Sequence, residues 1–246
     1  MTESPASPSA MSEIGRLTGI FWEPKPVFQD LAARPRFWAP LILLTALSLV
    51  YIISFSRLVG WESMIRRQMD RNPRIQQLTP EQRERAVQQG LTLAAPLGYA
   101  GAAVGMTVAS LVVAGVLLGA MNLLGGAGLK YRQAFSITVY SFLPSALASI
   151  LALLVMFLKN PEDFDLQNPL PLNIGAFLSP AGTAAWLRAI GRSLDLFGLW
   201  IILLMALGFS TAAGKRLSFG KALVLVVVPW AVYVLAQASL AGLSVG

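Results

Sequence analysis

The side chains that carry most acid–base and covalent chemistry in proteins are scarce in this chain. Of its 246 residues none is His and none is Cys. That excludes His-dependent Ser and Cys triads, zinc sites with His or Cys ligands, His-ligated haem and thiol relays. Twelve carboxylates and 19 Lys or Arg remain, and every one lies outside the long apolar runs. Position matters here more than number, because an ionisable group at bilayer depth is costly and is kept for function. The nearest approach is Arg188, Arg192 and Asp195, on roughly one helix face at the mouth of an apolar run. This trio suits a lipid headgroup or a charged partner. The reading favoured over it has Arg192 pairing with Asp195 while Arg188 reaches for the interface. No apolar run holds a carboxylate pair, and GxGD, HExxH and Walker A motifs are absent. The expectation is a protein that is not an enzyme and binds no cofactor or metal.

The elements that position these groups follow from composition. Apolar side chains make up 55% of the chain, charged ones 13%, and mean hydropathy is +0.63, which makes lipid its solvent. In a soluble protein a formal charge of +7 would suggest nucleic acid. Here the bases sit between apolar runs, where they face anionic lipid, so membrane lipid is the expected partner and nucleic acid is not.

Residues 1–12, rich in Ser and Pro, are expected to be a disordered tail. Over 13–36, Ile14, Leu17, Ile20 and Phe21, then Val27, Phe28 and Leu31, recur at helical spacing around Pro24 and Pro26. They predict two short amphipathic helices in the headgroup region. Residues 1–36 hold four acids and four bases around no apolar core, so a cleaved secretory signal is not expected.

Five membrane spans are expected, at about 37–56, 96–124, 133–158, 196–213 and 222–243, giving an all-α polytopic bundle. The first holds 11 Leu, Ile, Val or Phe residues. These are worth on the order of −3 to −7 kcal/mol of insertion free energy. Residues 57–90 form a polar helical loop with seven Arg and four acids, in which Thr79, Pro80 and Gln82 fit a helix start. Leu91–Leu129 is charge-free for 39 residues, long for one span and short for two, so six spans is the alternative. Within it Gly101 and Gly105, then Gly115 and Gly119, form two GxxxG motifs on nearly one face. Such a stripe suits close helix packing, within the chain ahead of between copies. Residues 166–187 are uncharged but hold Pro169, Pro171 and Pro180, so they are expected to form a surface loop, since lipid leaves bare backbone unsatisfied. Thr183–Arg192 reads as an interfacial helix.

Five spans with a cytoplasmic N-terminus put Lys130, Arg132, Lys215, Arg216 and Lys221, all in short loops, on the cytoplasmic side. Seven bases in 57–90 count the other way.

Tyr140-Ser-Phe-Leu-Pro144 in the third span resembles the Gly-Tyr-Ser-Leu-Leu-Pro signature of the Yip family, named for interaction with Ypt/Rab GTPases, with Val139 at the glycine. The stretches Gly19-Ile-Phe-Trp-Glu-Pro24, Tyr131-Arg-Gln-Ala134, Ser193-Leu-Asp195-Leu-Phe-Gly-Leu-Trp200 and Ser218-Phe-Gly-Lys221-Ala222 resemble its bacterial branch. The likeness runs from about Gly15 to Leu240. It implies five spans, a cytosolic N-terminus, a C-terminus on the far side, motif roles for Tyr140 and Pro144, and a part in membrane organisation. Rab-type function does not carry over. The expected role is a non-enzymatic scaffold in a bacterial inner membrane, recruiting partners or self-associating through the glycine face. A channel, permease or lipid mover is the alternative.

Overall fold

Ser12 opens the first helix: its Oγ accepts the Gly15 N–H at 3.0 Å and satisfies a donor that a helix start leaves bare. Helix α1 (Glu13–Trp22) ends before Pro24, and α2 (Pro24–Ala33) begins with that proline, where the missing N–H is harmless. The computed structural model describes residues 11–70, 73–166, 168–179 and 182–243. Residues 1–10 of the expected tail, and Pro180, lie outside them.

Ile20, Val27, Phe28 and Leu31 are fully buried, and what buries them is protein. Phe28 lies on Gly208, where a Cβ would come within 2.8 Å of the ring, and Phe21 meets Trp200 edge to face at 5.8 Å. At the other end of α2, Gln133 Nε2 donates to Ala32 O at 2.7 Å. The apolar faces assigned from sequence to the headgroup region are thus largely turned onto the bundle. Ile14, at 75% exposure, points away while Arg16 points in, so α1 is rotated from the face its apolar spacing suggests.

Helix α3 (Trp38–Leu58) is followed by α4 (Trp61–Asp70), α5 (Pro73–Gln76) and α6 (Pro80–Leu123). Thr79 Oγ1 accepts the Gln82 N–H, and Gln82 Oε1 accepts the Thr79 N–H in return, a reciprocal cap that starts α6 where the sequence predicts a start. Helix α6 then runs 44 residues through Pro96. The polar segment and the span expected from about residue 96 are one helix, and Leu91–Leu123 crosses once, which removes the six-span alternative. Proline is tolerated in a membrane helix because local adjustment re-satisfies the freed carbonyl.

Asn122 closes the turn after α6. Its Nδ2 donates to Leu129 O and its Oδ1 accepts the Leu129 N–H, each at 2.9 Å, while Gly126 and Gly128 take φ of +68°. Helices α7 (Tyr131–Ser141) and α8 (Pro144–Leu158) follow and together make one span-length apolar segment. The expected single span is interrupted at Phe142 and Leu143, where Leu143 N–H bonds back three residues to Tyr140 O because Pro144 has no N–H to extend the ladder. After a loop with a 3₁₀ turn at Ile174–Phe177 come α9 (Ala185–Ser193), α10 (Leu196–Ala213) and α11 (Phe219–Leu243). Gly214, at φ +59°, ends α10.

Among the described residues no strand forms, and five helical segments are long and apolar enough to cross a bilayer: α3, α6, α7 with α8, α10 and α11. The α6–α7 and α10–α11 turns meet at one end, where Leu217 lies against Gly125 and Arg216 against Gly128. At the opposite end the Arg67 guanidinium donates to the carbonyls of Pro161, Glu162 and Phe164 at 3.1 to 3.3 Å, fastening α4 to the loop after α8.

The glycine stripe does not serve the fold as expected. A Cβ at Gly101, Gly105, Gly115 or Gly119 would meet nothing within 4 Å. Helix α6 packs instead through Ala102, Ser110, Ala114, Leu117 and Met121, all buried. At 3.6 residues per turn, that face lies about half a circle from the glycines, on the opposite side of the helix.

Candidate functional site

Charge enters the bundle through the N-terminal helices, not through the spans. Arg16, 1% exposed, is the largest fully buried side chain. Its Nε and Nη2 each reach Asp30 Oδ2 at 2.6 Å, and its Nη1 reaches Glu13 Oε1 at 2.8 Å. One guanidinium therefore binds carboxylates of α1 and α2 and ties the two helices together, a use for which its rigid fork of donors is suited. Arg36 Nη1 reaches Glu13 Oε1 at 3.2 Å, and Arg34 Nη1 lies 3.6 Å from Asp30 Oδ1. The Tyr140 hydroxyl, also fully buried, donates to Glu13 Oε2 at 3.1 Å. The signature tyrosine of α7 thereby holds the N-terminal hairpin against the bundle.

The cluster holds its positive charge. Burial disfavours the charged Arg16, but the hydrogen bond and charge of Asp30, with Glu13 and Tyr140 behind them, outweigh it and raise its pKa. An arginine so held is no general acid, and both carboxylates are engaged by arginine. The arrangement is a lock. Among the described residues no group of three or more His, Cys, Asp or Glu could hold a metal ion.

The other sequence candidates fall elsewhere. Pro144, buried, is the first residue of α8, four positions after Tyr140. Asp195 caps α10, its Oδ1 accepting the Gly198 N–H at 2.9 Å, and bridges in antiparallel fashion to Asn173. Arg192 packs over Gly175, and no ion pair joins it to Asp195 among the described residues. Arg188 stands one turn earlier on α9. The structure does not join this trio to Tyr140, which lies with Glu13 and Arg16.

Sequence reasoning missed Arg16 because it looked for charge only inside the spans. The available signal was a base three residues after Glu13 on a helix otherwise apolar on that side, with Asp30 in the next helix to receive it.

The Yip1 domain family model matches residues 18–241, from α1 to the last turns of α11. The chain belongs to the Yip1-domain family. It is also similar to the membrane protein YknW of Bacillus subtilis (strain 168), 24% identical over 212 residues, 85% of this chain and 84% of that one. No solved structure matches. This Yip1-domain chain is therefore a multi-pass membrane protein whose family-matched region takes in part of α1 and all of α2, so the hairpin that Arg16 locks lies mostly within the domain.

Proposed function

We propose that this Yip1-domain protein is a non-enzymatic membrane scaffold that holds a helical lobe clear of the bilayer for a protein partner. The length of α6 carries the reading. Its 44 residues reach about 66 Å, twice a hydrocarbon core, so its first turns stand in water. There α4 braces it. Ile65 is buried beneath Gly90, Val87 is buried beside it, and Arg66 pairs with Glu62 at 2.8 Å and Glu84 at 3.1 Å. With the Arg67 staple this makes a stiff charged projection, suited to display and not to reaction.

In this reading the basic end, with Arg34, Arg36, Lys130, Arg132, Lys215, Arg216 and Lys221, faces the cytoplasm of a bacterial inner membrane, and the lobe and C-terminus face the other side. The open glycine stripe of α6 supports self-association as a further use. Photo-crosslinkers at Arg66 and Arg85 in intact membranes test the proposal: one protein adduct should recur at both positions, and the adduct at Arg66 should be lost when Arg85 is changed to Glu. Adducts to lipid alone would contradict it.

The break at Phe142 and Leu143 favours a second reading, a protein that moves lipid or solute. Purified protein in liposomes should then accelerate exchange of headgroup-labelled lipid, and rates equal to those of empty vesicles would remove it.

A further inference from the structure

On the bilayer-facing side of the basic end, α3, α6 and α7 part to leave a groove of about 340 Å³. Buried Leu41 and Phe135 line it together with the exposed side chains of Trp38, Leu111, Tyr131 and Arg132. The volume is at the small end of the range for a bound ligand. The walls are held open by the chain itself: Phe37 meets Phe135 edge to face at 4.8 Å, Tyr131 stacks on Phe135 at 6.2 Å, and the Tyr131 hydroxyl donates to Leu111 O at 3.0 Å.

Charge identifies the occupant. Arg16, Arg34 and Arg36 are taken up by Glu13 and Asp30, whereas Arg132 is exposed and makes no ion pair among the described residues. Lys130 adds a second base two residues away. An unneutralised guanidinium above an apolar trough, beside an exposed Trp38, fits a molecule with an anionic head and a hydrocarbon tail. We infer that the groove between α3, α6 and α7 binds one anionic phospholipid, with its phosphate at Arg132 and an acyl chain along Leu41 and Leu111. The site is independent of the scaffold reading and of its partner.

The test uses the purified full chain with phosphatidylglycerol or phosphatidylcholine of equal chain length, each also with brominated chains. Trp38 is read as the difference in quenching between parent and Trp38→Phe. Brominated phosphatidylglycerol should quench Trp38 at about fivefold lower concentration than brominated phosphatidylcholine, as one base near an anionic surface provides. Arg132→Gln should remove that preference, Leu111→Trp should fill the trough and abolish retained lipid in native mass spectra, and Lys221→Gln should change neither. Equal quenching by the two lipids in the unmodified protein would overturn the site even if a variant failed to fold. So would an equal loss in Lys221→Gln, the mark of a diffuse basic surface.

Discussion

The Tyr140 hydroxyl lies 3.1 Å from Glu13 Oε2, a contact between residues 127 positions apart that joins the start of the first helix to the middle of the bundle. Around it, Arg16 gathers Glu13 and Asp30, so that the buried guanidinium is paired.

Tyr140→Phe removes one hydrogen bond to a carboxylate and leaves the ring packing intact. A loss of about 1.5–3 kcal/mol is expected. It should be confined to α1 and α2, seen as faster amide exchange over residues 13–33 while α10 is unchanged.

Arg16→Leu leaves the largely buried Asp30 with only the longer contact to Arg34, and unfolding in detergent should show a cost of about 2–3 kcal/mol, below that of a fully stranded buried charge. Combining it with Asp30→Leu should recover most of that loss, since exchanging a buried pair for apolar groups is often close to neutral. A double variant as unstable as the single one would count against the lock.

Gly208 and Gly105 should respond oppositely to alanine. A Cβ at Gly208 would lie 2.5 Å from Ile137 Cγ2 and 2.8 Å from the Phe28 ring, so Gly208→Ala should cost about 1–3 kcal/mol. At Gly105 nothing lies within 4 Å, so Gly105→Ala should be neutral or gain up to about 1 kcal/mol from helix propensity. Thermal unfolding of the two variants side by side checks both.

The lobe formed by α4 and the start of α6 should weaken in acid. The Glu84 pKa is lowered by hydrogen bonds from Gln88 and Arg66 and by the Arg66 charge. A depressed carboxylate stabilises the fold above its unfolded pKa, and that contribution is lost as pH falls through the lower folded value. Amide exchange over 80–90, corrected for its intrinsic pH dependence, should therefore accelerate as pH drops through and below the usual carboxylate range, and Glu84→Gln should flatten the dependence.

Much of the architecture was legible in the sequence. Helix α10 was readable because Leu196–Ala213 is free of charge and almost wholly apolar between a capping Asp195 and a terminating Gly214. The start of α6 was readable because Thr79, Pro80 and Gln82 are local signals. Contacts between distant segments were not. Ile14 and Arg16 are two residues apart, and only the packing of α1 with α2 and α7 turns the first out and the second in. The stripe of glycines misled for the same reason: spacing defines a face, but the neighbouring helix decides which face is used.

The N-terminal hairpin is packed into the bundle, and a diazirine-bearing residue in place of Phe28, activated in native membranes and mapped by mass spectrometry, reports what surrounds it. Adducts should fall on α7 around Ile137 and on α10 around Gly208, and should diminish with Arg16→Leu. Adducts to lipid alone, unchanged by Arg16→Leu, would contradict it.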